Sequence, residues 1–188
     1  MALTVVDHRT GNPLALAPDT TWRAGPGARE KAAAAAFARA AAFVGLALEP
    51  RRAGPVGLYI GEKDPGAGTA WLRVGPETGA GGDAEALSFL RLKTRYSAPL
   101  RVDAASLAAA GAERARLLAA ASGLEGAPSA ASSRGLTGYL HRFREALSRD
   151  FDAPEALACV WDGLRPGALS PGSRSALLRE ALPVLGIP

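Results

Sequence analysis

Four kinds of side-chain pattern in this chain invite a chemical reading. Phosphate binding needs backbone amides that converge at a glycine-rich turn, and two turns qualify: Gly25-Pro26-Gly27 ahead of an alanine-rich segment, and residues 61–68, which begin Gly61-Glu62-Lys63. Neither ends in Gly-Lys-Ser/Thr and neither has dinucleotide spacing, so both read first as ordinary turns. Asp150 and Asp152 lie close enough in sequence for acid–base or metal chemistry, yet Asp152-Ala153-Pro154-Glu155 has the spacing of a helix cap, which accounts for the pattern. Cys159, between Leu157 and Trp161, reads as buried filler, and no motif places a nucleophile beside His141. The remaining candidates are arginines. Arg91 and Arg95 are spaced to share a helical face, Arg101 follows a turn at 96–100, and Arg142 and Arg149 are seven apart on the polar side of a helix. Such a set can contact phosphates, or simply solvate a helical surface, with Arg142 and Glu145 pairing at i, i+3.

The elements that must position these residues fall into two textures. Residues 3–6 are β-branched and run into the turn Thr10-Gly11-Asn12-Pro13, which predicts an edge strand and a turn. Phe37, Ala41, Val44 and Leu48 recur at helical offsets and predict a helix over 28–48. Residues 56–60 and 69–74 predict a hairpin or two adjacent strands. After the glycine cluster at 75–82 every periodic segment is helical, so a boundary is expected there. Asp83 caps a helix to about residue 96, and Asp103 caps the next, through 121. Leu136, Tyr139, Leu140, Phe143 and Leu147 form an apolar stripe with Arg142, Arg144 and Arg149 off it. Asp152 and Ser170 open the last two helices, the second ending near Gly186, and residues 124–133 read as a loop.

Composition narrows the function classes. The 188 residues are 48% hydrophobic, enough to form a core. One cysteine excludes an internal disulfide and, with only two histidines, makes neither a structural nor a catalytic metal centre expected. No uninterrupted apolar span or leader pattern is present, so a cytoplasmic protein without membrane contact is expected. The net charge of +4 is unevenly spread: +1 over residues 1–83 (nine basic, eight acidic), +5 over 84–149 (ten and five) and −2 over 150–188 (three and five). Positive charge is thus concentrated in the first helices after the glycine cluster.

Two stretches resemble the cysteinyl-tRNA synthetases. Asp83-Ala84-Glu85-Ala86-Leu87 through Arg95-Tyr96-Ser97-Ala98-Pro99-Leu100 is similar to that family's D-P-E-A-L-R … H-Y-R-S-P-L stretch, where the catalytic region meets the helical bundle. Phe143-Arg144-Glu145-Ala146-Leu147 through Asp150-Phe151-Asp152-Ala153-Pro154-Glu155-Ala156-Leu157 is similar to F-x-x-A-L-x-D-D-F-N-T-P-x-A-L, and Val184-Leu185-Gly186 resembles the closing V-L-G-L. In front, Thr10-Gly11-Asn12-Pro13-Leu14 and Gly61-Glu62-Lys63 resemble the family's N-T-L-T-G-x-K-E-P-F segment and the start of its G-E-K-M-S-K-S loop. There the likeness stops: Asp64-Pro65-Gly66-Ala67 replaces the rest of that loop, so glycine stands at the transition-state lysine. The H-I-G-H signature and the zinc-binding cysteines and histidine are absent, and with two residues after Gly186 the family's anticodon domain is not expected.

What the resemblance implies is a truncated paralogue unable to activate cysteine. Its fold is expected to be α+β, mainly α. Residues 1–82 would be a reduced α/β remnant of two or three short strands and one long helix, and residues 83–188 an up-and-down bundle of about five helices. The expected function is non-catalytic binding of tRNA or DNA through Arg91, Arg95, Arg101, Arg142 and Arg149, since the family's bundle packs along tRNA. The alternative is a nucleotide-binding or hydrolysing remnant at Gly61 and Lys63, using ATP and magnesium. A third reading is a module that binds another protein chain through exposed Trp22, Trp71 or Trp161.

Overall fold

Thr4–Val6 (β1) and Pro13–Ala15 (β2) pair antiparallel with Val5 opposite Leu14, so the expected edge strand is one arm of a hairpin. The computed structural model describes residues 3–54, 56–79, 82–124 and 130–187. Thr21–Ala24 (β3) follows the hairpin, and the Gly25-Pro26-Gly27 turn leads directly into Ala28–Phe43 (α1). This helix stops at Phe43 instead of continuing to Leu48. Gly45, at φ 83°, donates to the Ala42 carbonyl while Leu46 donates to that of Ala41, the paired bonds of a glycine helix stop. Phe37 and Ala41 are buried as their periodicity requires, but beyond the stop it is Leu46, not Leu48, that enters the core.

Glu49–Pro50 (β4), Leu58–Gly61 (β5) and Ala70–Arg73 (β6) complete a sheet of order β4-β3-β5-β6, parallel at every junction. The hairpin reading of the last two strands is therefore corrected: Leu58 lies opposite Ala70, and residues 62–69 return the chain so that both strands run the same way. Strands β3 and β4 had no alternation to reveal them. Every residue of β3 is half-buried and both residues of β4 are exposed.

Glu77–Thr78 (β7) and Leu100–Arg101 (β8) pair in parallel on either side of Ala84–Lys93 (α2). Asp83 caps α2 by accepting from the Glu85 N–H at 2.8 Å. The helix ends before Tyr96 because Thr94 turns to an extended conformation, so Arg91 and Arg95 do not share a helical face after all. Asp103 caps Ala104–Ser122 (α3), with Ser106 returning a hydroxyl bond to the Asp103 carbonyl. Ala130–Ser148 (α4) begins inside the segment read as a loop. Residues 125–129 of that loop, and residues 80 and 81 of the glycine cluster, lie outside the described residues. Asp152 caps Ala153–Leu164 (α5), and Ser170 caps Pro171–Leu185 (α6), which stops at Gly186 with φ 72°.

The fold is α+β and mainly α, with 51% of the described residues in helix against 14% in strand. One apolar core joins the two textures. Leu58, Ile60 and Leu72 of the sheet, Phe37 of α1, and Phe89, Phe143, Leu147, Val160 and Leu178 of the later helices belong to a single buried cluster. Phe37 meets Phe151 edge-on with centroids 6.2 Å apart, so α1 ties sheet to helices. Each such side chain contributes about 1.5–3 kcal/mol by leaving water.

Candidate nucleic-acid interface

Helix α4 divides into an apolar and a basic half. At 3.6 residues per turn Leu136, Tyr139, Leu140, Phe143 and Leu147 fall on one side, and Phe143 and Leu147 are fully buried. On the other side Arg134, His141, Arg142, Arg144 and Glu145, with Arg149 just past the last turn, are all exposed. Together they cover about 160° of the helix circumference and about 22 Å of its length. Two of the arginines are steadied by rings: Arg144 lies 4.9 Å over Phe43 and Arg142 lies 5.7 Å over Tyr139. The expected Arg142–Glu145 pair is not made. Arg142 instead reaches Asp162 of α5 at 3.2 Å, and Glu145 stands 3.9 Å from Arg149 and 4.0 Å from His141. The apolar stripe turns α4 so that Arg142 borders α5, where a carboxylate is nearer than the one on its own helix. Exposed pairs of this length contribute about 0–1 kcal/mol, and Glu145 and Asp162 offset two of the four arginine charges on this side.

The other three arginines are held differently. Arg91 forms a two-pronged bond to Glu77, at 2.8 and 2.7 Å, with both side chains one-fifth exposed, and so fastens α2 to β7. Those bonds hold the Glu77 carboxyl below the usual range. Arg95 is paired with Asp152, the cap of α5. Arg101, 85% exposed on β8, stands 3.6 Å from Asp103. Of the five arginines singled out in the sequence no two share an element: Arg142 is on α4 and Arg149 is the residue that follows its last turn.

Both phosphate-type turns converge on one internal carboxylate. Glu30, 8% exposed, accepts from the Gly27 N–H at 2.5 Å and from the Glu62 N–H at 2.7 Å. A Cβ at Gly25 would lie 2.2 Å from Glu30 Oε1, so glycine there leaves room for the carboxylate. The amides a phosphate would use are therefore taken by the protein's own acid. Gly61 ends β5, its carbonyl accepting from the Trp71 indole at 2.8 Å, while Lys63 is exposed in the following loop. Arg9 ties that loop down through Asp64 and the Gly66 carbonyl.

The other chemical candidates resolve into structure. Asp152 accepts from the Glu155 N–H as a cap, whereas Asp150 accepts from the Val6 N–H at 3.0 Å and the Tyr96 hydroxyl at 2.5 Å. Asp150 and Phe151 both lie in the left-handed region, φ 55° and 49°, which lets this turn reach β1 and the end of α2. Cys159 is buried, and desolvation pushes its thiol up. His141 is exposed on α4. None of the three tryptophans is an exposed anchor: each is half-buried, and the indole nitrogens of Trp22 and Trp161 are inside. Among the described residues no cluster of three His, Cys, Asp or Glu is placed to hold a metal, and no helix is long and apolar enough to cross a membrane.

Arg134 escaped the sequence reading because the loop was extended through residue 133, and Glu30 because no pattern marks a buried helical acid. No family model matches the chain, and no curated protein matches it.

Proposed function

We propose that this chain is a non-catalytic, cysteinyl-tRNA synthetase-like protein that binds nucleic acid, tRNA before DNA, by laying the basic half of α4 along phosphates. The observation that carries the reading is the composition of that half: four exposed arginines and a histidine against a single glutamate. Charge of that density along one side of a helix suits backbone contact, and the lack of exposed tryptophan beside it suits little base specificity. Arg101 is a further exposed cation on β8, Arg95 is exposed but paired with Asp152, and Arg91 is a partly buried tie to Glu77. The preference for tRNA rests on the resemblance of the two helical stretches. The engagement of the Gly27 and Glu62 amides by Glu30 weighs against the nucleotide alternative at Gly61 and Lys63.

The test is fluorescence anisotropy with labelled tRNA and duplex DNA between about 50 and 200 mM salt. Binding is expected to weaken steeply with salt. Replacing Arg134, Arg142 and Arg149 together by alanine is expected to flatten the log–log slope by about 2–3, since each phosphate contact contributes about 0.7–0.9. Failure of the chain to bind either nucleic acid at the lower salt overturns the proposal.

A further inference from the structure

Between α1 and the edge formed by α2 and the start of α5 lies a small, solvent-open cleft with an accessible volume of about 60 Å³. Its apolar walls are Ala32, Ala33 and Ala36 of α1, Leu92 of α2, Phe151 and Leu185. Three arginines also line it: Arg29, Arg39 and Arg91. Arg91 is neutralised by Glu77. Arg29, 7% exposed, gives its donors to the carbonyls of Gly75, Pro76, Arg95 and Ala98, and feels Glu77 only at longer range.

Arg39 differs from both. It is half-buried, its Nε donates to the Val184 carbonyl at 3.0 Å near the end of α6, and no carboxylate pairs with it among the described residues. The negative end of the α6 dipole offsets about half a charge at most. Packing, not a counter-ion, places the guanidinium: it lies against the bare backbone of Gly186, where a Cβ would come within 2.4 Å of Nη2. Desolvation lowers the pKa of Arg29 and of Arg39. Withdrawing cations from water without full compensation is costly, and an anion in the cleft relieves it.

We propose that this cleft binds a small organic oxyanion, a carboxylate or phosphate group on a compact apolar body, with Arg39 gripping the anionic group. The Nη atoms of Arg39, which no protein acceptor takes among the described residues, offer the fork that matches an oxyanion. The three alanines, on the same helix as Arg39, keep that wall low and apolar, which suits a compact apolar ligand body. Of the hydroxyls at the cleft, that of Tyr96 is given to Asp150 and that of Thr94 to the Leu90 carbonyl, which leaves Ser88 as a second polar contact. The site uses none of the α4 residues and stands independently of nucleic-acid binding.

Calorimetric titration of the full chain with phenyl phosphate, benzoate and inorganic phosphate tests this. At least one of the two organic anions is expected to saturate a single site and to bind tenfold or more tightly than inorganic phosphate; which of them does so identifies the anionic group. Arg39→Gln should weaken that binding tenfold or more. Ala33→Leu, which fills the wall without altering charge, should abolish it, with circular dichroism confirming that both variants fold. Arg52→Ala, at an exposed loop arginine, should leave it unchanged. Absence of saturable binding by both organic probes overturns the proposal. So does equal binding by folded Arg39→Gln or Ala33→Leu, parity with inorganic phosphate, or an equal loss in Arg52→Ala.

Discussion

Arg29 and Arg149 carry the same charge and are built into the molecule in opposite ways. Arg29, near the start of α1, is buried and spreads its donors over four carbonyls belonging to residues 75–76 and 95–98. Arg149, at the end of α4, is 73% exposed and has one distant partner, Glu145 at 3.9 Å. The first closes the seam between sheet and helices; the second leaves its charge to solvent and to whatever approaches. In this arginine-rich chain, residue type therefore says little about role. Role follows from whether carbonyls of another element converge on the guanidinium.

Three substitutions probe that contrast. Arg29→Met should be the most damaging, because it removes a charged donor and strands buried carbonyls: a loss of about 3–5 kcal/mol by urea denaturation is expected. A loss below about 1 kcal/mol would mean that water replaces the guanidinium and that the two regions differ less than their burial suggests. Glu77→Gln should act in between and show itself through pH. The Glu77 carboxyl, held below its ordinary value of 4.5 chiefly by the Arg91 hydrogen bonds, stabilises the fold above that value and stops doing so as pH falls through the lower folded value. Glutamine cannot titrate, so the urea midpoint should fall less between about pH 5 and pH 3 than it does for the unaltered chain. Arg149→Ala should have the smallest effect on folding, within about 0.5 kcal/mol, because its ion pair with Glu145 is long and exposed. A larger loss would place the α4 arginines among the structural ones and weaken the proposed interface.

The sequence was most legible where local rules act. Asp83, Asp103, Asp152 and Ser170 each cap the helix they were expected to open, since a cap needs only a short side chain and the next few amides. The stripe Phe143–Leu147 on α4 was legible for a similar reason: helical spacing alone defines a face. Helix ends were harder. Alanine and leucine favoured extending α1 to residue 48, and what prevails is the left-handed Gly45 together with burial of Leu46. Strands β3, β4, β7 and β8, four residues or fewer, carry no alternation of their own and exist through pairing with distant partners. For the candidate site, the arginines were legible as a class and their roles were not. Arg91 and Arg142 looked alike in sequence, and Glu77 and Asp162, fourteen and twenty residues away, decide what each does.

By itself the chain determined the starts of its side-chain-capped helices, its predominantly helical class and the concentration of positive charge between residues 84 and 149, because these depend on composition and on neighbours within a turn or two. Only the tertiary structure decided that four strands run parallel, that Glu30 takes the amides of both glycine turns, and that Arg39 faces a cleft without a carboxylate partner among the described residues. Those outcomes turn on which groups far apart in sequence are brought within hydrogen-bonding distance and which are removed from water, and no local pattern encodes that distance.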